Sequence, residues 1–321
     1  MQDDNTDWLL AGSKLSADEA GKLEKCLSAN PTDLKARLTL LGYYFLRRDE
    51  SSRAKRKDIV IWLIDNMPDL AHTGEPWCDF SELSETANFN EIKDHWLLAV
   101  KAHPSNSAVF ANAAHFLARS DKALAEEYFN RAIELDPKNS SLLSKLATFL
   151  SLHVPKKQDE AVLSIKKAMT LEPSANKQKH LKLHLVQHAY SAGEYATAAD
   201  AAKELLSLND AEPELWKDGQ IEHDCNSILG LIAIQNGDIV GAKNHLTLAG
   251  QSSGSPALGS FGPDFSLAYE LLNEGCRGEV IAYLHACKIF WKSEGGRLDS
   301  WIAEIDKGKM PDFRKIQNRF A

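Results

Sequence analysis

Three histidines are spaced so that their imidazoles could act on a common ligand. His180, His184 and His188 follow one another at intervals of four residues, which places them on one stripe of a helix. Adjacent members of such a series can chelate a metal ion, whereas His180 and His188 would be about 12 Å apart along the axis and could not easily share one. Three interpretations stay open: a metal-dependent activity, contact with a ligand in a groove, and a solvated or partly packed helix face.

A second candidate feature is a basic run in an acidic chain. Six Lys and Arg side chains stand within eleven positions, where they could dock an acidic partner or RNA. Acidic residues interrupt the run and no aromatic residue is interleaved with it, so the sequence favours a solvated turn between helices. The run consists of Arg47, Arg48, Arg53, Lys55, Arg56 and Lys57.

Composition disfavours most other chemistry. The chain has 321 residues and a formal net charge of -8, which is a poor match for general binding to nucleic acid. There is no glycine-rich phosphate loop, no Gly-x-Ser-x-Gly elbow and no zinc-protease signature, and no carboxylate pair stands in an apolar setting. We therefore expect a protein that is not an enzyme and that needs no cofactor.

The five cysteines are scattered and odd in number, and no two are spaced as Cys-x2-Cys. They are predicted to be reduced and unliganded, and Cys26 is expected to be a small buried hydrophobe in a helix seam. No run approaches the roughly 18 apolar residues that a membrane helix needs, and the first 20 residues do not resemble an export signal. The expected location is cytoplasmic, although a Met placed before Gln2 would also fit a start after a removed signal.

Regularly spaced prolines mark the ends of the helices that position these side chains. Pro31, Pro68, Pro104, Pro137 and Pro173 fall 33 to 37 residues apart, and each closes the same short apolar pattern. In that pattern a small residue lets two helices approach, large residues fill the seam, and the proline ends the second helix. A period of this length predicts repeated helical hairpins.

The repeat that begins at Asn106 shows the pattern most clearly. Its second half reads Ala125-x3-Phe129-x2-Ala132-x4-Pro137, which resembles the tetratricopeptide repeat. The resemblance implies an all-α solenoid of antiparallel helix pairs whose first helices line a concave face that binds other molecules. Chaperone-binding relatives clamp a peptide carboxylate with Lys, Asn and Arg side chains on this face, and that clamp is not evident here.

The last quarter of the chain lacks the regular repeat pattern, and it is predicted to cap the solenoid. It resembles a group of uncharacterised bacterial tetratricopeptide-repeat proteins through Ser260-Phe261-Gly262-Pro263, through Leu267-Ala268-x-Glu270-Leu271-Leu272 and through Tyr283-Leu284-x2-Cys287-x2-Phe290-Trp291. Phe261 could be a recognition element, but a buried Phe beside a helix-starting proline is the simpler interpretation. Three helices are expected, over residues 264–273, 278–291 and 298–307.

Two irregular segments interrupt the repeats. The first helix of one repeat is missing between Pro68 and Ile92, where we expect a long loop whose Trp77, Phe80 and Leu83 fold back on the array; a lid over the groove is the alternative. The other is an acidic excess of ten residues between Asp210 and His223, which predicts an acidic loop or a short helix.

Together these patterns predict an N-terminal helical cap (1–32), degenerate repeats (33–104) with a long loop (68–90), regular repeats (105–251) and a C-terminal helical cap (252–321). The expected function is that of a non-catalytic scaffold or adaptor that binds a peptide or partner protein in the concave groove. The first alternative is a nucleic-acid-associated factor that uses the basic run. The second is a metal-dependent activity at the histidine stripe. By register, the partner-binding residues are Lys35, Phe45, Ser107, Phe110, Ser144, Thr148, His180, His184, Gln187 and Ser227.

Overall fold

The computed structural model describes residues 4–70, 76–213 and 217–313, and the regular secondary structure of this part of the chain consists of helices, with no β-strand. It divides into two compact units, Met1–Pro155 and Lys156–Ala321. Each unit by itself is a stack of helix pairs, so the predicted all-α solenoid architecture is confirmed. None of the described helices is both long and apolar enough to cross a membrane.

Most helices of the first unit pack against their neighbours in sequence, whereas the first helix packs on the third. A short 3-10 helix, Pro76–Cys78, lies in the connection between the fourth and fifth. The α-helices are α1 (Asp4–Gly12), α2 (Ala17–Ala29), α3 (Leu34–Phe45), α4 (Glu50–Asn66), α5 (Thr86–Ala102), α6 (Ser107–Leu117), α7 (Lys122–Leu135) and α8 (Ser140–His153).

Side-chain caps fix where several of these helices begin. Asp33, Asp49, Asn106 and Asp121 each stand one residue before a helix and accept a hydrogen bond from a backbone N–H of its first turn. Such caps satisfy donors that a helix leaves unpaired at its start. The start of each of these four helices is therefore fixed locally by one polar side chain.

The seam predicted for the strongest repeat is confirmed. Ala125, Phe129 and Ala132 of α7 are buried, and the Phe129 ring lies 5.3 Å from that of Phe149 in α8. The small residues let α6 and α7 approach, and the aromatic side chain fills the space toward the next pair. The expectation for Cys26 is wrong: its thiol is exposed on α2, whose buried residue is Ala20.

Of the loop predicted before α5, residues 71–75 lie outside the described residues, and α5 begins at Thr86 inside the expected loop. Residues 76–85, here called the irregular segment, contain the short 3-10 helix and turns but no α-helix. Trp77 packs on Phe45 with ring centroids 4.9 Å apart, and Phe80 is buried. Leu83 does not fold back, because it is 95% exposed.

The second unit continues the pairing and then adds shorter helices. A 3-10 turn, Pro155–Lys157, precedes its first α-helix. The α-helices are α9 (Gln158–Leu171), α10 (Ala175–Ser191), α11 (Tyr195–Asp210), α12 (Gly219–Gln235), α13 (Ile239–Gly250), α14 (Pro256–Phe261), α15 (Ser266–Asn273), α16 (Arg277–Cys287) and α17 (Arg297–Asp306). Of the predicted acidic segment, residues 214–216 lie outside the described residues.

The C-terminal helices enclose an aromatic core. Phe265, Trp291, Trp301 and Phe313 are all buried, and the rings of Phe265 and Phe313 stack with centroids 5.3 Å apart. The three predicted helices are present with shifted ends, and the short helix α14 precedes them. This core belongs to the same buried cluster as Ala242 and Leu246 of α13, as a cap on the last repeat requires.

The turn around Phe261 packs differently from the expectation. Phe261 is 55% exposed, so the prediction of a buried ring is wrong. The residue of the turn that lies closest to the aromatic core is instead Gly262, at a φ of 86°, where a Cβ would come within 2.6 Å of the Trp291 indole. Only glycine combines this backbone conformation with so close a contact, which explains why the turn and Trp291 belong together.

Candidate functional site

The predicted binding face of the second unit lies on two adjacent first helices. Gln187 of α10 donates from Nε2 to Asp224 Oδ2 of α12 over 3.2 Å, so side chains from consecutive repeats meet on it. His180 is exposed, and His184 and Gln187 are half-buried on the same helix. Ser227, by contrast, is 5% exposed and is not available for direct contact with a partner.

A buried polar network holds Asp224 in position. Gln220 donates to Asp224 Oδ2 over 2.8 Å, and His223 Nδ1 lies 3.0 Å from Asp224 Oδ1. On the other side of the ring, His223 Nε2 lies 2.9 Å from the Tyr283 hydroxyl of α16. With the proton on Nδ1, the imidazole donates to Asp224 and accepts from Tyr283, and all three groups are satisfied.

This network was missed from the sequence. Burial raises the pKa of Tyr283 well above its usual range, with smaller contributions from Cys287, Asp264 and Asp224, so its hydroxyl remains a donor. His223 has no exposed surface and lies in the core between α12 and α16. Nothing in the local pattern separates His223 from an ordinary core residue, and its partner is sixty residues away in sequence.

The histidine stripe runs from solvent into the interior. His180 is exposed, His184 is half-buried and His188 is buried, and the rings of His184 and His188 have centroids 6.0 Å apart. Burial lowers the pKa of His188 to about 4, with a smaller contribution from the neighbouring His184. Burial also lowers the pKa of His184, and His180 adds to that shift. Both rings are uncharged at neutral pH.

In the first unit the predicted face is partly closed. Phe110 is 8% exposed because the ring of Tyr128 packs against it edge-on, with centroids 5.5 Å apart. Its edge borders an open cleft of about 380 Å³ whose other walls are polar side chains of α7. The half-buried hydroxyls of Ser107, Ser144 and Thr148 lie on α6 and α8. The cleft is lined by Phe110, Glu127, Asn130, Arg131 and Glu134.

The two binding residues predicted on α3, Lys35 and Phe45, differ in exposure. Lys35, on α3, is exposed. Phe45, at the end of the same helix, is half-buried under Trp77 of the irregular segment. The segment therefore occupies the surface that register assigns to a partner at this position.

The basic run makes contacts within its own unit. Lys55 Nζ lies 2.7 Å from Glu24 Oε1, Lys57 Nζ lies 2.6 Å from Glu91 Oε2, and Arg53 pairs more loosely with Glu85 at 3.8 Å. These contacts, and those of the two arginines below, engage five of the six basic side chains and leave Arg48 as the exposed remainder.

Aromatic rings also meet this run, although the sequence shows none interleaved with it. The Arg56 guanidinium is buried 3.9 Å from the centre of the Phe80 ring and donates to the Asp79 carbonyl oxygen over 2.6 Å. The guanidinium of Arg47 lies 3.2 Å from the centre of the Tyr43 ring. The expectation of a solvated basic turn is therefore wrong for Arg56, which is an anchor for the irregular segment.

In the described parts of the chain, no three His, Cys, Asp or Glu side chains are grouped as a metal site would require.

Comparisons with known proteins add little to this picture. No protein-family profile matches the chain, and no curated protein matches its sequence. It is similar to a solved PilF structure from Pseudomonas aeruginosa at 19% identity and a TM-score of 0.43, over 80% of this chain and 99% of that one. It is also similar to a chain of the APC/C hetero-tetramer Cut9–Hcn1 at 16% identity and a TM-score of 0.42, over 94% of this chain and 63% of that one. The fold assignment rests on this chain's own helices.

Proposed function

We propose that the protein is a non-catalytic scaffold that binds a peptide or a partner protein through the first-helix face of its tetratricopeptide-like repeats. The observation that carries the proposal is the Gln187–Asp224 hydrogen bond, which joins α10 and α12 side by side. Two first helices in contact present one continuous surface of exposed and half-buried polar groups, as an extended ligand requires.

The chemistry of this surface favours hydrogen bonding over apolar capture. His180, His184 and Gln187 supply donors and acceptors, while the apolar side chains of α10, such as Val186 and Ala189, are directed into the core. Asp224 is fixed from behind by Gln220 and His223, so it is held in one orientation for a partner's N–H or ammonium group. A polar segment of a partner chain is the ligand class that fits.

The competing nucleic-acid function has less support, because the basic run is engaged within the fold. The contacts of Lys55 and Lys57 with carboxylates and of Arg56 with Phe80 would have to be broken before these groups could neutralise phosphates. A salt-insensitive or absent affinity for single-stranded RNA is the expected result.

The proposal is tested by affinity capture from lysate followed by quantitative mass spectrometry. A face variant, His180→Glu with Gln187→Ala, is compared with wild type and with a control, Val240→Glu with Asn244→Glu, on the solvent side of α13. Proteins retained by wild type and control but lost by the face variant are the expected result. Identical protein sets for all three chains would contradict binding through this face.

A further inference from the structure

The open cleft beside Phe110 in the first unit is lined by two polar side chains that the fold itself does not use. Glu127 and Asn130 of α7 are both exposed at this cleft. With respect to the described residues, neither side chain makes a hydrogen bond or an ion pair. Arg131 and Glu134, on the same wall, pair with each other over 2.9 Å. The cleft therefore keeps one carboxylate and one amide for a ligand.

The negative charge of Glu127 is left without a cation of its own. Arg131 stands one turn further along α7, but its guanidinium is directed to Glu134. Burial raises the pKa of Tyr128, and the negative charge of Glu127 raises it further. A cation that enters the cleft therefore meets a carboxylate that it need not take from another partner.

The spacing of these two side chains suits a planar cation. Glu127 and Asn130 are three residues apart on one helix, so their Cβ atoms are about 5–6 Å apart. A guanidinium carries five N–H donors in one plane and can donate to a carboxylate and to an amide oxygen at once, whereas an ammonium is a point charge. The exposed edge of Phe110 gives the methylene groups of such a side chain an apolar surface to pack on.

We propose that this cleft binds the side chain of an arginine carried by a partner protein. The cleft has a volume of about 380 Å³ and is open, so a side chain can enter it from a chain that lies outside. A free amino acid would also need partners for its α-carboxylate and α-ammonium groups, and Arg131, the cation of the lining, is engaged by Glu134. The site rests on the proposed scaffold function only for its use, because neither α10 nor α12 contributes to it.

Nuclear magnetic resonance titration of the ¹⁵N-labelled full chain with Nα-acetyl-arginine methylamide tests the site. Saturable shifts of the backbone N–H signals of residues 127–134 are expected. Glu127→Gln should weaken binding by about three- to fivefold, the size expected for one exposed ion pair. Asp94→Asn removes an exposed carboxylate of α5 in the same unit and should bind the probe as wild type does. The face variant, His180→Glu with Gln187→Ala, should also bind as wild type does, so failure of this site and failure of the α10–α12 face give different results.

Three further probes identify the chemistry that is recognised. The citrulline analogue has the same shape without the charge, and the lysine analogue has the charge without the planar fork, so each should bind at least about threefold more weakly than the arginine probe. Free L-arginine should bind no more tightly than the blocked probe. The absence of saturable shifts in α7, equal affinity in Glu127→Gln, or equal binding of the citrulline or the lysine analogue would each overturn the proposal. Tighter binding of free L-arginine would overturn the assignment to a partner protein.

Discussion

At the scale of single residues, the polar groups of the second unit are positioned by partners far away in sequence. His223 links Asp224 on the predicted binding face to Tyr283 in the C-terminal segment, and it has no exposed surface of its own. A fully buried imidazole is tolerated because each ring nitrogen has a partner. The network makes the geometry of the face depend on the cap.

The Tyr283 hydroxyl is therefore expected to contribute measurably to the free energy of unfolding. Tyr283→Phe keeps the ring but leaves His223 Nε2 unpaired, so we expect the free energy of unfolding to fall by about 1–3 kcal/mol. Urea denaturation of the variant gives the value. Tyr269→Phe, at an exposed tyrosine of α15, is the control and should stay within about 0.5 kcal/mol of wild type. Equal effects would mean that the hydroxyl is not holding His223.

Residue-level predictions from register succeed in the helix seams and fail at their edges. Ala125, Phe129 and Ala132 are buried because seam positions recur with the helix period. Phe110 was assigned to an open groove, yet Tyr128 of the next helix covers most of its ring. The side chain that closes such a gap depends on the neighbouring helix, which a pattern within one helix does not report.

At the scale of elements, the irregular segment before α5 stands in place of the first helix of a degenerate repeat. It holds its place through Trp77 on Phe45 and through Phe80 on the Arg56 guanidinium, where a regular repeat would have a helix. The loss of helical periodicity was visible in the sequence. The residues that it contacts could not be predicted, because a segment without helical periodicity has no defined apolar face that can be matched with another helix.

This segment offers two apolar residues three positions apart with opposite expectations. Phe80→Ala removes a buried ring and exposes Arg56, so we expect a loss of about 3 kcal/mol in the free energy of unfolding. Leu83→Ala, at a side chain that is 95% exposed, should change it by less than about 0.5 kcal/mol. Chemical denaturation of both variants decides the matter, and a large effect of Leu83→Ala would show that the tip of the segment packs on something.

At the scale of the whole molecule, stability should be distributed by repeat. Helix pairs contact their neighbours in sequence, so the effect of a core truncation is expected to be strongest in adjacent pairs and to decline along the array. The first unit has its seams around residues such as Phe129, and the second has the aromatic core of the cap. A defect in one core should therefore loosen its own unit first.

Hydrogen exchange measured by mass spectrometry tests this with one variant in each unit. Phe129→Ala should cost about 3–5 kcal/mol and lower the protection of α6, α7 and α8 more than that of α12 to α16. Tyr283→Phe should do the reverse, lowering protection in α12 and α16 while α6 to α8 keep theirs, because its lost hydrogen bond lies within the second unit. An equal fall of protection in all helices for both variants would mean that the chain unfolds as one cooperative body, and that its repeats do not carry separate shares of the stability.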